Sequence, residues 1–365
     1  MNEAPSPTQQ SATSDMLFGF WYPAVEGSRL RRGALRPVTL LDTPLVVGRQ
    51  ADRRAFALAD RCPHRAMPLS FGRIVDSSIE CCYHGWTFDA QTGQCRSIPS
   101  LVDGASVKVE RICAKSYPCA ERNGTIWVFL PDEQTLSEQP PPPELPVFSE
   151  RYQALHHAVE FASDVDQGIL GLLDPAHGPY VHQSWYWRSA HKLRDKEKTF
   201  EPIPNGFRMV PHTPSANSTA YKLLGVYGQP VTTTIEFVLP NQRTETIRCG
   251  KLWFTNRTTV TPIRRDLCQL DFWAAWNLFR WVPLVKPIFR AFARRFIAQD
   301  QLNAERQAVG LRRDGPRGAP MILVGDADRQ ARWYFELKEE LTRSRRTNQP
   351  MVHPLQGPVT LRWRT

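Results

Sequence analysis

The chain lacks any uninterrupted apolar run long enough to cross a bilayer as a helix. Its longest aromatic and apolar region, Trp273 to Ile297, is broken by Arg280, Pro283, Lys286, Pro287, Arg290, Arg294 and Arg295. Residues 1–15 are polar and show no charged segment followed by an apolar one, so they are expected to be a disordered start and not a signal peptide. No Gly-x-Gly-x-x-Gly stands between a strand pattern and a helix pattern, which excludes an evident FAD or NAD(P)H site of the chain's own. No internal repeat is visible, so a solenoid or propeller is excluded. Acidic residues are also in deficit, 36 against 46 Lys and Arg, for a net charge of +10. The basic residues are spread over Arg29 to Arg36, Arg188 to Lys198, Arg264-Arg265 and Arg343 to Arg346 without a nucleic-acid motif, so nucleic acid is not the expected partner.

What is present reads as two domains, because 365 residues exceed the usual size of one core. From Met16 come short β-rich runs separated by turn residues: Val38 to Leu41, Leu45 to Val47, Ala55 to Leu58 and Thr125 to Leu130. A Pro-rich stretch containing Pro140 to Pro143 then forms a stiff extended linker. Beyond it, Thr232 to Leu239, Lys251 to Thr255 and Leu267 to Phe272 read as strands, and Pro287 to Val309 as a helix. The expected division is a β domain at 16–131, a linker at 132–148, an α+β domain at 149–345 built on an antiparallel sheet with helices around it, and a tail at 346–365. Ile288, Phe289, Phe292 and Phe296 share one helix face, with Arg290 and Arg294 elsewhere on it. Core packing is the favoured reading of that face, and a peripheral, lipid-facing surface is the alternative.

The most specific signal is Cys62-Pro-His64, sixteen residues, then Cys81-Cys82-Tyr83-His84. Two Cys-plus-His pairs, each short enough to come from one turn of chain, supply four ligands. In a Rieske [2Fe–2S] centre two Cys hold one iron and two His the other, which raises the reduction potential. A zinc site is the competing reading, but zinc ribbons usually carry Cys-x2-Cys or Cys-x2-His on both arms. Downstream, Asp174-Pro-Ala-His177-Gly-Pro-Tyr-Val-His182 places two His five apart after a carboxylate, and the stretch is expected to be helical. Two His and one carboxylate are the ligand set of non-heme Fe(II) oxygenases.

The segments Asp60 to Gly72 and Cys81 to Asp89 resemble the two cluster-binding loops of the Rieske non-heme iron oxygenases, and the resemblance runs from Met16 to about Lys338. It implies an N-terminal all-β Rieske domain followed by a helix-grip catalytic domain. By that resemblance Cys62 and Cys81 hold the inner iron, and His64 and His84 the outer one. His177 and His182 hold a mononuclear Fe(II), and the segment Phe296 to Gln307 assigns Asp300 as its carboxylate ligand, with Asp164 and Asp166 as weaker rivals. Asp174 becomes the catalytic bridge that carries an electron from a cluster His of the adjacent subunit to the iron, which requires a homotrimer. Two departures stand out. Cys82 sits where the family often has Pro and is expected to be a packed, unligated thiol. Leu170 and Gly171 stand where many relatives have Asn.

The implied protein is a terminal oxygenase with O2 as co-substrate. Electrons would come from NAD(P)H only through a separate reductase or ferredoxin, an acidic partner suited to the positive charge. A small but bulky hydrophobic, perhaps polycyclic, molecule is the expected substrate, hydroxylated or oxidatively demethylated, with Trp185, Tyr186 and Trp187 and the aromatic stretch from Phe272 to Phe296 as candidate pocket residues or, equally, as core. The alternatives are a cis-dihydroxylating dioxygenase and a Rieske electron-transfer protein with an inactive catalytic domain. The other six cysteines, scattered and without a secretion signal, point to reduced thiols in the cytoplasm.

Overall fold

The computed structural model describes residues 16–132, 139–182, 193–213, 229–279, 281–313 and 321–365. The described chain divides into two units: Met16–Glu144 with Thr261–Arg264, and Leu145–Val260 with Arg265–Thr365.

The first unit contains β1 (Phe20–Glu26), β2 (Leu35–Leu40), β3 (Thr43–Arg49), β4 (Ala55–Ala59), β5 (Arg73–Val75), β6 (Ser78–Glu80), β7 (Thr87–Asp89), β8 (Cys95–Ser97), β9 (Ser116–Tyr117), β10 (Cys119–Arg122) and β11 (Thr125–Leu130). They form three sheets, β1-β11-β10, β2-β3-β4-β9 and β5-β6-β7-β8. The run Leu45-Val46-Val47 is apolar without alternation because β3 is buried on both faces. Leu45 and Val47 enter one core with Tyr22, Ile126 and Val128, while Val46 enters a second with Phe56, Leu69, Ile79 and Phe88. Cys62 and Cys81 belong to that second core, so the turns that carry them are anchored by apolar burial.

The second unit contains β12 (Gln153–Phe161), β13 (Asp195–Ile203), β14 (Gly206–His212), β15 (Val231–Val238), β16 (Gln242–Cys249), β17 (Leu252–Arg264), β18 (Leu267–Trp276) and β19 (Val359–Arg364), with helices α1 (Val165–Leu173), α2 (Gly178–Val181), α3 (Val285–Arg313) and α4 (Arg329–Thr347). The strands form one antiparallel sheet in the order β12-β18-β17-β16-β15-β14-β13-β19. This is the expected α+β architecture, and the helix read over Pro287 to Val309 spans Val285–Arg313.

Helix α3 lies against the sheet through Phe289, whose ring sits 5.0 Å from Trp276 and 5.5 Å from Phe254. Helix α1 comes close to the sheet because Gly168 has no side chain, and a Cβ there would meet Val260 Cγ1 at 2.7 Å. Asp164 caps α1 by accepting the Gln167 N–H at 3.0 Å. Asp166 accepts from Lys338 Nζ at 2.8 Å and from the Tyr334 hydroxyl at 2.5 Å, which ties α1 to α4 inside the core. Among the described residues no helix is long and apolar enough to cross a membrane.

Candidate metal centres

The two Cys-His turns of the first unit share one backbone design. In the first, Cys62 N–H donates to Met67 O at 2.8 Å and Ala66 N–H donates to Cys62 O at 2.9 Å. In the second, Cys81 N–H donates to Trp86 O at 2.9 Å and Gly85 N–H donates to Cys81 O at 3.0 Å. The closing residue is left-handed in both, Ala66 at φ 59° and Gly85 at φ 69°. Each turn thus buries its Cys at the base, and its His follows at the third position in one and the fourth in the other.

The result is a sorted donor set. Cys62 and Cys81 are buried, while the His64 and His84 rings meet edge to face, 4.6 Å apart, at a half-buried rim. His64 stacks flat on Trp86 at 4.5 Å, and His84 packs against Tyr83 at 3.8 Å, so aromatic contacts hold both rings. Burial pushes the Cys62 thiol up to about 11; the Cys81 thiol beside it adds to the rise, while the His64 and Arg65 N–H groups pull it down. Burial and the neighbouring His84 lower the His64 pKa. Two thiols below and two imidazoles above fit the two-thiolate, two-imidazole chemistry of a [2Fe–2S] centre. Cys82 corrects one expectation: it is exposed, not packed, because it occupies the second position of the turn, the place of the exposed Pro63 in the first.

The second centre assembles in the other unit. Asp174 ends α1, and its Oδ1 accepts the Ala176 N–H at 2.6 Å and the His177 N–H at 3.3 Å. The stretch expected to be helical is therefore two helices, α1 and α2, joined by a side-chain-capped turn. His177 and His182 flank α2, and Asp300 arrives from the middle of α3. Their donor atoms lie within 4.8 Å of one another. His177 Nε2 is 3.3 Å from His182 Nε2, His182 Nε2 is 3.1 Å from Asp300 Oδ1, and His177 Nε2 is 3.9 Å from Asp300 Oδ1. Ligands about 2.1 Å from a metal and at right angles stand about 3 Å apart, so this triangle suits three adjacent positions of one ion.

Each imidazole is oriented by its far nitrogen. His177 Nδ1 donates to Asp174 O at 2.8 Å and His182 Nδ1 to Gln299 Oε1 at 3.1 Å, which leaves both Nε2 lone pairs aimed into the triangle. The Phe296 ring stacks on His182 at 3.7 Å. Sequence reasoning missed Gln299 and the stacking role of Phe296; their place beside and one turn before Asp300 on a helix was the available signal. Asp174 Oδ2 lies 3.7 Å from His177 Nδ1. A cleft of about 140 Å³ opens beside the triangle, lined by Phe161, Gly171, Asp174, His177, Leu270 and Asp300. Asp164 and Asp166 are engaged within the α1 cap and the α4 ion pair. Trp185, Tyr186 and Trp187 lie outside the described residues.

Comparison with known proteins places these observations. The Rieske [2Fe-2S] domain family matches residues 20–118. The chain is 34% identical over 177 residues to chlorophyllide a oxygenase of Arabidopsis thaliana, covering 47% of this chain and 30% of that protein. It is 34% identical over 168 residues to the oxygenase component of dicamba O-demethylase from Stenotrophomonas maltophilia, covering 45% and 47%. It is 32% identical over 138 residues to 4beta-methylsterol monooxygenase of Methylococcus capsulatus, covering 38% and 37%. The matched stretches therefore span less than half of each of these relatives. Among solved structures, the QL mutant of Pseudomonas putida CBB5 NdmA with theobromine superposes with a TM-score of 0.74 at 19% identity, over 93% of this chain and 96% of that one. Dicamba monooxygenase bound to dicamba gives 0.68 at 22% identity, over 90% and 98%.

Proposed function

We propose, from the premise that this chain belongs to the Rieske non-heme iron oxygenases, that it is the terminal oxygenase component of a monooxygenase acting on a bulky hydrophobic, polycyclic substrate. The observation that carries the reading is the convergence of His177 Nε2, His182 Nε2 and Asp300 Oδ1 within 4.8 Å, in a chain that also holds the sorted Cys62, Cys81, His64 and His84 set. In this reading His177, His182 and Asp300 would hold Fe(II), which would supply O2 activation, and Cys62, Cys81, His64 and His84 would hold a [2Fe–2S] cluster, which would supply electrons one at a time.

The chain's own residues do the rest. The Asp174 carbonyl and Gln299 hold the two imidazoles in the tautomer that presents Nε2 inward. Asp174 keeps Oδ2 beside His177 while Oδ1 is occupied by backbone N–H groups, so its carboxylate can link His177 to a cluster histidine of a neighbouring subunit. A homotrimer supplies that neighbour. The apolar walls of the cleft, Phe161 and Leu270, exclude water and hold an apolar substrate beside the iron ligands. The names chlorophyllide a oxygenase, pheophorbide a oxygenase and 4beta-methylsterol monooxygenase among the relatives support a large ring system as substrate. An external ferredoxin or ferredoxin reductase delivers the electrons, and a cytoplasmic setting suits a chain whose eight cysteines are all free.

The test is turnover with labelled O2, a reductase and a panel of polycyclic substrates. One labelled oxygen in the product and one in water is the expected result; two in the product would make the protein a dihydroxylating dioxygenase.

A further inference from the structure

The face of α3 that carries Phe289, Phe292 and Phe296 divides in two. Phe289 packs on Trp276 and Phe254, Phe292 on Phe289 and Phe296, and Phe296 on His182, so these three serve the core and the site. Ile288 does not join them: it is 67% exposed, beside Leu284 at 65% and Trp281 at 72%. Leu284 and Ile288 share one side of the helical turn, and Trp281 precedes it. Ile288 N–H donates to Leu284 O, so the helical turn begins before α3, and Leu284, Ile288, Ala291 and Arg295 follow at i, i+4, i+7 and i+11. Trp281, Leu284 and Ile288 are thus three large apolar side chains left in solvent within eight positions at the start of α3, a cluster that asks for a partner.

The charge along this stretch of chain has one sign. From Phe272 to Gln299 the sequence contains no Asp or Glu, while Lys286, Arg290, Arg294 and Arg295 are basic, as is Arg280, which lies outside the described residues. Arg290, Arg294 and Arg295 are exposed, and none of them makes an ion pair among the described residues. The start of α3 thus carries Trp281, Leu284 and Ile288 in solvent, and within two turns Arg290, Arg294 and Arg295 follow, exposed and without an ion pair among the described residues. A protein partner would need both an apolar socket and an acidic rim; an anionic bilayer offers an acyl boundary beneath a layer of negative headgroups with no further fitting.

We propose that this end of α3 is a peripheral docking surface for an anionic lipid membrane, with Trp281, Leu284 and Ile288 entering the acyl boundary and Arg290, Arg294 and Arg295 meeting the headgroups. The proposal stands independently of the oxygenase reading. It extends that reading in one respect, because the same helix carries Asp300, so docking would bring a membrane-dissolved substrate to the unit that holds the site.

The test is flotation of the full, cofactor-loaded chain with vesicles of equal parts phosphatidylglycerol and phosphatidylcholine, against vesicles of phosphatidylcholine alone. The expected result is flotation with the anionic vesicles only, lost at high salt. Arg290→Gln and Arg294→Gln should each lower the partition coefficient about fivefold. The Trp281→Ser/Ile288→Ser double variant should lower it at least tenfold at an unchanged thermal midpoint and unchanged solution mass. Failure of the wild-type chain to float with anionic vesicles would overturn the proposal, as would equal flotation of the variants. A smaller solution mass for the double variant would also overturn it, by assigning the patch to contact with a second copy.

Discussion

The two candidate metal-binding regions are built in opposite ways. The candidate cluster turns lie within residues 62–86, repeat one hydrogen-bonding pattern, and are anchored by cysteines that belong to the local core. The triad of the second unit joins a short turn at Asp174 to a helix far along the chain; the His182 to Gln299 hydrogen bond alone spans 117 positions. A locally specified site survives whatever leaves its two turns intact. A site closed by long-range packing depends on every contact that fixes α1 and α3.

That difference can be broken from the packing side first. Lys338→Met leaves the Asp166 carboxylate buried with only the Tyr334 hydroxyl, and should cost about 3–5 kcal/mol in the second unit while sparing the cluster's visible spectrum. Denaturant melts followed by both tryptophan fluorescence and cluster absorbance would show it. A loss below about 1 kcal/mol would mean that α4 does not hold α1 in place.

Next in size is Gln299→Leu, which removes the acceptor that orients His182 and should weaken mononuclear Fe(II) binding about 10- to 100-fold with cluster content unchanged. Gln299→Glu keeps an acceptor and should recover most of the affinity. Equal weakening in both variants would assign Gln299 to packing alone.

The comparison sharpens within the cluster turns themselves. Gly85→Ala puts a Cβ at φ 69° and 3.1 Å from Pro99 Cγ, and should destabilise by about 1–2 kcal/mol. Ala66→Gly relieves the same strain in the matching turn, φ 59°, and should stabilise by about 0.5 kcal/mol after the entropy cost of Gly. Opposite signs in thermal melts would confirm the shared design; like signs would refute it.

Smallest is an acid effect at Asp89. Burial raises its pKa, but Arg96, Thr92 and Gln91 hydrogen bonds outweigh that and hold it at about 2. A folded value below the ordinary carboxylate range means that its stabilisation is complete above about pH 4 and is lost as pH falls toward 2. Asp89→Asn should therefore flatten the acid limb of stability in that window only, as read by melts at stepped pH.

Legibility followed the same division. The turns carrying Cys62, His64, Cys81 and His84 could be picked out because the candidate ligands and their turns are neighbours in sequence, and β3 because Leu45 to Val47 is apolar on both faces. The helix carrying Asp300 was readable from its pattern, whereas Gln299 and Phe296 act on a histidine that spacing does not connect to them. Strand β13 was not legible: Lys196, Glu197 and Lys198 mask its alternation, and its partner β19 comes from the far end of the chain. Strand β17 was read over Lys251 to Thr255 alone, because Asn256, Arg257 and Thr258 break the apolar signal; Arg257 and Thr258 are nonetheless buried, and Arg257 hydrogen-bonds to Thr244. Ile288 departed from the face its spacing assigned: Phe289 packs on Phe254 and Trp276, whereas Ile288 stays 67% exposed.

The most direct measurement is iron and acid-labile sulfide per chain in anaerobically purified protein, for the wild type and for Asp300→Ala. The account predicts about three irons and two sulfides in the wild type and about two of each in the variant. About two irons in the wild type that do not rise when Fe(II) is added back would contradict the assignment of His177, His182 and Asp300, and would leave an electron carrier.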